Sequence, residues 1–175
     1  LRAAIVAVNL ALFGTTVLAH DLNQGASQAS VIPADHAHGL PVLGHEVRVK
    51  VSSSMTNGRA YVFEVISPPG LGIPSHTHEV EDEVILVMDG NFEFMMGGKI
   101  YAATKGDIVN MPHGIVHGFA NVGSNTGKTL WTVMPGASFE KFMNELSALS
   151  TKGKPDLTEV AQLFGKYGMQ IQPPK

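Results

Sequence analysis

From Val42 onward the hydrophobic positions come in short alternating bursts separated by turn residues. Val47, Val49 and Val51 share one parity within residues 46–51, and Tyr61, Phe63 and Val65 share one within residues 59–66. Alternation with a period of two puts such residues on one face of a β-strand. Further segments of this kind cover residues 83–88, 91–96, 99–103, 108–111, 116–121 and 129–134. Between them lie Asn57-Gly58, Pro68-Pro69-Gly70, Asp89-Gly90, Gly97-Gly98, Lys105-Gly106, His113-Gly114 and Gly123-Ser124-Asn125, all of turn-forming composition. No helical period intervenes before residue 138, so a parallel βαβ sheet is excluded and an all-β antiparallel sandwich or barrel is expected.

After Pro135-Gly136 the period changes. Phe139, Phe142, Met143, Leu146 and Leu149 recur at helical spacing, with Ser138 as the expected N-cap. A second helix is expected from Pro155-Asp156, where Asp156 and Glu159 have capping-box spacing and Leu157, Val160, Ala161 and Phe164 form the apolar face. Gly168 is its expected end. Two C-terminal α-helices therefore cover the outside of the barrel or one open end.

The other end of the chain is different in kind. Leu1 to Ala19 has one cation, Arg2, then an apolar stretch, then small residues closing on Val17-Leu18-Ala19. That order predicts a cleaved secretory signal and a secreted or periplasmic protein. The apolar stretch is too short to span a bilayer, and no second run could do so. Residues 20–41 lack a hydrophobic period and read as an extended lead-in. The expected organisation is a signal over 1–19, the lead-in over 20–41, a barrel over 42–136 and a helical extension over 137–175. Cleavage after Ala19 would expose His20 as an ordinary first residue. His36 and His38 form an HxH in the lead-in, read as solvated linker because no carboxylate follows at a useful distance.

Composition narrows the chemistry. At 175 residues, with 44% hydrophobic and 15% charged residues, the chain is long enough for one well-packed domain. A net charge of −3 provides no basic footprint for nucleic acid. Cysteine is absent, so disulfides and thiolate metal sites are excluded, and any metal is held by nitrogen and oxygen.

Such donors cluster in GLGIPSHTHEVEDEVILVMDG, residues 70–90. On a strand His76 and His78 project from the same face, and Glu83 follows. Two imidazoles and a carboxylate converging from strands are a common means of holding a divalent transition metal. A further donor is available in GDIVNMPHGIVHGFAN, residues 106–121, where His117 lies on the strand after the Pro112-His113-Gly114 turn.

Together these stretches resemble the two motifs of the cupin superfamily, G(X)5HXH(X)3–4E(X)6G and G(X)5PXG(X)2H(X)3N. Gly70, His76, His78, Glu83 and Gly90 fill the first; Gly106, Pro112, Gly114, His117 and Asn121 fill the second. The resemblance implies a jelly roll, a double-stranded β-helix, with a metal held by His76, His78, Glu83 and His117. In the family that ion is iron, manganese, nickel, copper, cobalt or zinc, and ligand type alone does not select among them. The whole chain is most similar to small single-domain quercetin 2,3-dioxygenase-like cupins, through the PPGLGIPSHTHEVEDE stretch and the YGMQIQPP tail. That similarity implies a dioxygenase acting on a hydroxylated aromatic, with dioxygen as co-substrate and Glu83 as general base. The alternatives are a non-catalytic small-molecule-binding cupin, or an isomerase, decarboxylase or oxalate-type enzyme.

Neighbouring residues are read conservatively. Glu79, Glu81 and Asp82 lie on the approach to Glu83. They have two readings, groups that support the metal ligands from behind or a solvated acidic loop, and the loop is the expectation. His113 is expected to be a rim residue, in reach of substrate rather than a ligand. Phe63, Ile85, Phe92, Phe94, Met111, Phe119, Trp131 and Met134 are expected to provide apolar walls and core. Arg59 and Lys99 fall outside both motifs, so a strongly anionic substrate has no evident clamp. An exposed edge strand makes a homodimer an expectation.

Overall fold

The computed structural model describes residues 29–34, 38–151, 153 and 155–172. The predicted signal, His20 and His36 lie outside them. Among the described residues eleven strands, two α-helices and one short 3-10 helix (Ser53–Thr56) form the domain. In chain order the strands and α-helices are β1 (His38–Val42), β2 (His45–Val51), β3 (Tyr61–Ser67), β4 (Gly72–His78), β5 (Asp82–Asp89), β6 (Asn91–Met96), β7 (Lys99–Thr104), β8 (Ile108–Met111), β9 (His117–Asn121), β10 (Gly127–Met134), α1 (Gly136–Ser150), α2 (Leu157–Lys166) and β11 (Met169–Ile171). One sheet has the order β1-β2-β3-β10-β5-β8, the other β11-β4-β9-β6-β7. Every pairing is antiparallel. The expected all-β double-stranded β-helix with two C-terminal helices is the fold observed.

The strand alternation read from the sequence is realised as burial. β6 and β10 alternate buried and exposed or half-buried positions along their length, and the buried set meets between the sheets. Phe119 of β9 lies 5.2 Å from Trp131 of β10, ring centre to ring centre, which joins the two sheets. Phe63, Ile85, Phe92, Phe94 and Met111 are buried as expected. Met134 is not: at 38% exposure it faces outward at the end of β10.

Three features depart from the sequence reading. The last residues of the lead-in form β1, the edge of the first sheet, paired with β2 through a two-residue turn at Leu43-Gly44. Both turn residues have positive φ, +49° and +89°, the geometry that matches the twist of a tight hairpin. Pro41 is tolerated there because an edge strand leaves one side without a ladder to serve.

The first helix begins at Gly136, two residues before the expected Ser138 cap, with Pro135 at the N-cap position. The reason is tertiary. Gly136 and Ala137 donate their backbone N–H groups to the Gly58 carbonyl, at 2.9 and 3.3 Å, so the helix start is satisfied without a side-chain cap. A Cβ at Gly136 would stand 2.4 Å from the Tyr61 nitrogen, so only glycine lets the helix start this close to β3.

The second helix starts as expected: the Asp156 side chain accepts from the N–H groups of Thr158 and Glu159. After Gly168, at φ +71°, the chain forms β11, which pairs antiparallel with β4. Residues 169–171 are thus built into the sheet that carries His76 and His78.

Candidate metal centre

β4 carries His76 and His78 on one face, both buried. Its pairing with β9 slips between Ile73 and His76, and the slip sets His76 directly opposite His117. Bulges of this kind re-aim side chains and are frequent beside functional sites. Glu83 comes from β5, in the other sheet, where it pairs with Met111 and Val133. The barrel therefore brings together all four residues singled out in the two sequence motifs. Relative exposure is 8% for His76, 1% for His78, 2% for Glu83 and 0% for His117.

The geometry fixes which ring nitrogens face inward. His76 Nδ1 is 3.0 Å from the Pro74 carbonyl and His117 Nδ1 is 2.8 Å from the Ile115 carbonyl. A carbonyl only accepts, so both Nδ1 atoms carry the proton and both Nε2 atoms are left as lone pairs when the rings are neutral. The inward atoms converge. His76 Nε2 is 3.1 Å from His78 Nε2, Glu83 Oε2 is 3.3 Å from His117 Nε2, and Glu83 Oε1 is 3.7 Å from His78 Nε2. The ligand atoms of His76, His78 and His117 all lie within 4.8 Å of one another.

Burial lowers the His76 pKa from 6.5 to about 4, and the neighbouring His117 pushes it the same way. His117 is lowered by burial, but the Glu83 carboxylate outweighs this and holds it above its ordinary value. Glu83 is raised by burial, and the three facing histidines outweigh that in turn, so it lies below the ordinary range. The cluster thus keeps an ionised carboxylate beside a neutral His76 at neutral pH.

Buried polar atoms are normally hydrogen-bonded. Among the described residues six buried side-chain polar atoms have no aligned partner, and four of them belong to this neighbourhood: His78 Nδ1, Glu81 Oε2, Glu83 Oε2 and His117 Nε2. Imidazole nitrogen and carboxylate oxygen suit a divalent transition metal, whose charge would satisfy inward lone pairs that no protein donor reaches. The residues present fit such an ion.

Beside the cluster lies a cavity of about 70 Å³. Its walls are apolar: Val47, Phe63, Phe119 and Trp131 from the barrel, Phe139, Phe142, Met143 and Leu146 from α1, Phe164 from α2, and Met169 from β11. Its only ionisable wall residues are His45, His76, Glu83 and His117, with no lysine or arginine. The helices close the open end of the barrel. Phe164 stands edge-on to His76 at 5.5 Å, and Phe139 is 5.6 Å from His78.

Near the cluster one expectation is overturned and one residue is new. Glu81, expected in a solvated loop, is 4% exposed, with Oε2 at 3.5 Å from His78 Nδ1. His45, not singled out, is 3% exposed, lines the cavity and holds Ser67 Oγ at 3.0 Å through Nδ1. Strand parity could have found His45, which shares a face of β2 with Val47; Glu81 lies just before β5, where parity gives no signal. Of the other acidic residues, Glu79 is exposed, and Asp82 accepts from the backbone and ring of His113 at 2.9 and 2.7 Å. His113 is exposed and lies outside the cavity wall.

A small antiparallel barrel whose interior gathers three histidines and a glutamate defines a class of protein in which the fold presents a metal-binding cluster to a small cavity. Residues 63–140 match the family model described as the cupin domain, the stretch that holds both motifs whose cupin resemblance the sequence carries. Solved structures agree on the fold. KdgF from Halomonas sp. superposes with a TM-score of 0.56 at 19% identity, over 62% of this chain and 94% of that one. A predicted oxalate decarboxylase from Thermotoga maritima gives 0.56 at 21%, over 60% and 98%. The polyketide cyclase RemF from Streptomyces resistomycificus gives 0.54 at 19%, over 62% and 80%. No curated protein matches the sequence.

Proposed function

We propose that the chain is a metal-dependent dioxygenase of small, uncharged, hydroxylated aromatic molecules, similar in kind to the quercetin 2,3-dioxygenase-like cupins and acting outside the cytoplasm. In this reading His76, His78, Glu83 and His117 hold the divalent ion. The observation that carries it is the apolar, aromatic-walled cavity set directly against three of those four groups, His76, Glu83 and His117. An apolar pocket with a few convergent polar groups is the usual form of a small-molecule site. Strongly anionic substrates are disfavoured, because among the described residues the cavity wall holds no lysine or arginine to add to the charge of the ion itself.

The volume bears on size. Sites for drug-sized ligands measure roughly 300–1,000 Å³, well above the 70 Å³ present here. A single hydroxylated ring matches this cavity better than a three-ring flavonol. Bound metal would provide Lewis-acid charge and open positions for substrate oxygen and dioxygen. The protein's part is to orient the ring between Phe63, Phe119 and Trp131, exclude water with the two helices, and accept the substrate hydroxyl proton at a Glu83 oxygen.

The test is oxygen uptake by metal-analysed protein offered catechols and flavonols, before and after chelation. Uptake that stops on chelation and is absent in His76→Ala supports the reading, with catechols favoured over flavonols. Glu83→Gln should lower turnover by roughly a hundredfold or more. Uptake unchanged in His76→Ala would overturn it. Binding without turnover is the second reading, favoured by the burial of all four groups behind the helical cover. A catechol-dependent rise in melting temperature with no oxygen consumed would select it.

A further inference from the structure

His78 differs from the other two histidines in what holds its outer nitrogen. His76 and His117 each give Nδ1–H to a backbone carbonyl, at 3.0 and 2.8 Å. His78 Nδ1 has no carbonyl and no aligned hydrogen bond. What faces it is the Glu81 carboxylate, with Oε2 at 3.5 Å. Glu81 is 4% exposed, and its Oε2 also lacks an aligned partner. Among the described residues His78 is its one ion-pair partner.

Either neutral tautomer of His78 leaves an uncompensated contact. With the proton on Nδ1, its Nε2 lone pair meets that of His76 at 3.1 Å. With the proton on Nε2, its Nδ1 lone pair meets the Glu81 carboxylate. Positive charge between the rings removes the conflict on the Nδ1–H tautomer, and a metal ion is the form of it that also engages His117 and Glu83. Ligating histidines usually donate their other N–H to an acceptor that fixes tautomer and orientation. Two of the three acceptors here are main chain, and the third is a side chain that sequence can change.

We infer that Glu81 is a positioning residue: its buried carboxylate accepts Nδ1–H of His78, fixes that ring with Nε2 inward, and thereby sets the affinity and geometry of the metal centre. This rests on the metal-centre reading above. A carboxylate acceptor also makes His78 a more basic ligand than one backed by a carbonyl. Sequence geometry accounts for the arrangement. Glu81 immediately precedes β5, two residues before Glu83, so the chain entering that strand carries the outer carboxylate just ahead of the inner one.

The experiment compares wild type, Glu81→Gln, Glu81→Ala and His76→Ala by calorimetric titration with Zn²⁺ and by the visible spectrum of the Co²⁺-loaded proteins. Glu81→Ala should weaken Zn²⁺ binding by roughly 10–100-fold and alter the Co²⁺ bands. Glu81→Gln, whose amide oxygen still accepts a hydrogen bond, should recover most of the loss. Circular dichroism of the metal-free variants should stay unchanged. Should Glu81→Ala fail to fold, ¹⁵N NMR of Zn²⁺-loaded wild type decides: a protonated, hydrogen-bonded His78 Nδ1 supports the inference, and an unprotonated one overturns it. Wild-type affinity and spectrum in Glu81→Ala would overturn the inference alone. Absence of Zn²⁺ binding by wild type would overturn it together with the metal-centre reading.

Discussion

At the residue scale, His45 is a buried titratable group outside the metal cluster, and its physics gives a pH dependence. Its pKa is lowered from 6.5 to about 4, mainly by burial, with the Gly72 carbonyl offsetting part of that. Nδ1 meets Ser67 Oγ, the Phe119 ring lies 5.6 Å away, and Nε2 has no aligned partner. A base whose folded pKa is depressed binds its proton more readily in the unfolded chain. Stability therefore falls as pH drops from 6.5 toward 4, and is fully present only above 6.5. A change of that size corresponds to at most about 3 kcal/mol. Urea unfolding of metal-free protein at pH 7 and at pH 4.5 should show a larger loss for wild type than for His45→Gln. Equal losses would mean that His45 is solvated or protonated in the native state. His76 titrates over the same range in metal-free protein, so the difference between the two proteins, not the slope of either, carries the test.

At the element scale, α1, α2 and β11 form one unit that closes the barrel. α1 presents Phe139, Phe142, Met143 and Leu146 to the cavity, α2 presents Phe164, and β11 is laddered onto β4. Phe164 packs edge-on against both His76, at 5.5 Å, and Phe142, at 4.9 Å. Truncating a buried Phe to Ala typically costs about 3–5 kcal/mol. Phe164→Ala should therefore lower stability by an amount near the low end of that range, because the existing cavity lets neighbours relax. It should also shorten the half-time for chelator extraction of metal at least about tenfold, by opening the route past the helices. Extraction at the wild-type rate would place the route elsewhere. The apolar face of α1 was legible in the sequence, because 3.6-residue spacing reports burial directly. That of α2 was legible in part: Val160 and Phe164 are buried as expected, but Leu157 at the first turn is 81% exposed, Ala161 is exposed, and Leu163 is buried in their place. The position of the helices over the metal cluster was not legible, since periodicity says that a face is covered and not by what. The strand β11 was missed for a related reason. A three-residue strand has too little alternation to signal itself, and it exists only because β4 offers an open edge.

At the scale of the whole molecule, the barrel and the four clustered residues were readable because two strong constraints coincide. Period-2 alternation with glycine-rich turns fixes an antiparallel fold, and the spacing of His76, His78, Glu83 and His117 follows the strand register that brings them together. What the sequence hid is set by three-dimensional context: the burial of Glu81, the partnerless Nε2 of His45, and the cavity's small size. The same context couples the cluster to stability. In the metal-free molecule it concentrates inward lone pairs and a buried carboxylate without aligned donors, a state each unmet atom makes less stable by about 1–3 kcal/mol. An ion that binds the folded chain and not the unfolded one stabilises it by about 2.7 kcal/mol at a hundredfold excess over its Kd. For a domain of this length that corresponds to a rise in melting temperature of roughly 5–10 °C. Thermal scans of chelator-treated protein with added Zn²⁺, Ni²⁺, Co²⁺ or Mn²⁺ should show such a rise for at least one ion, reversed by chelator. The same scans on His117→Ala should show little or none. A melting temperature that no ion moves in wild type would mean that the cluster is held by its own charge pairs, and the metal-centre reading would fall with it.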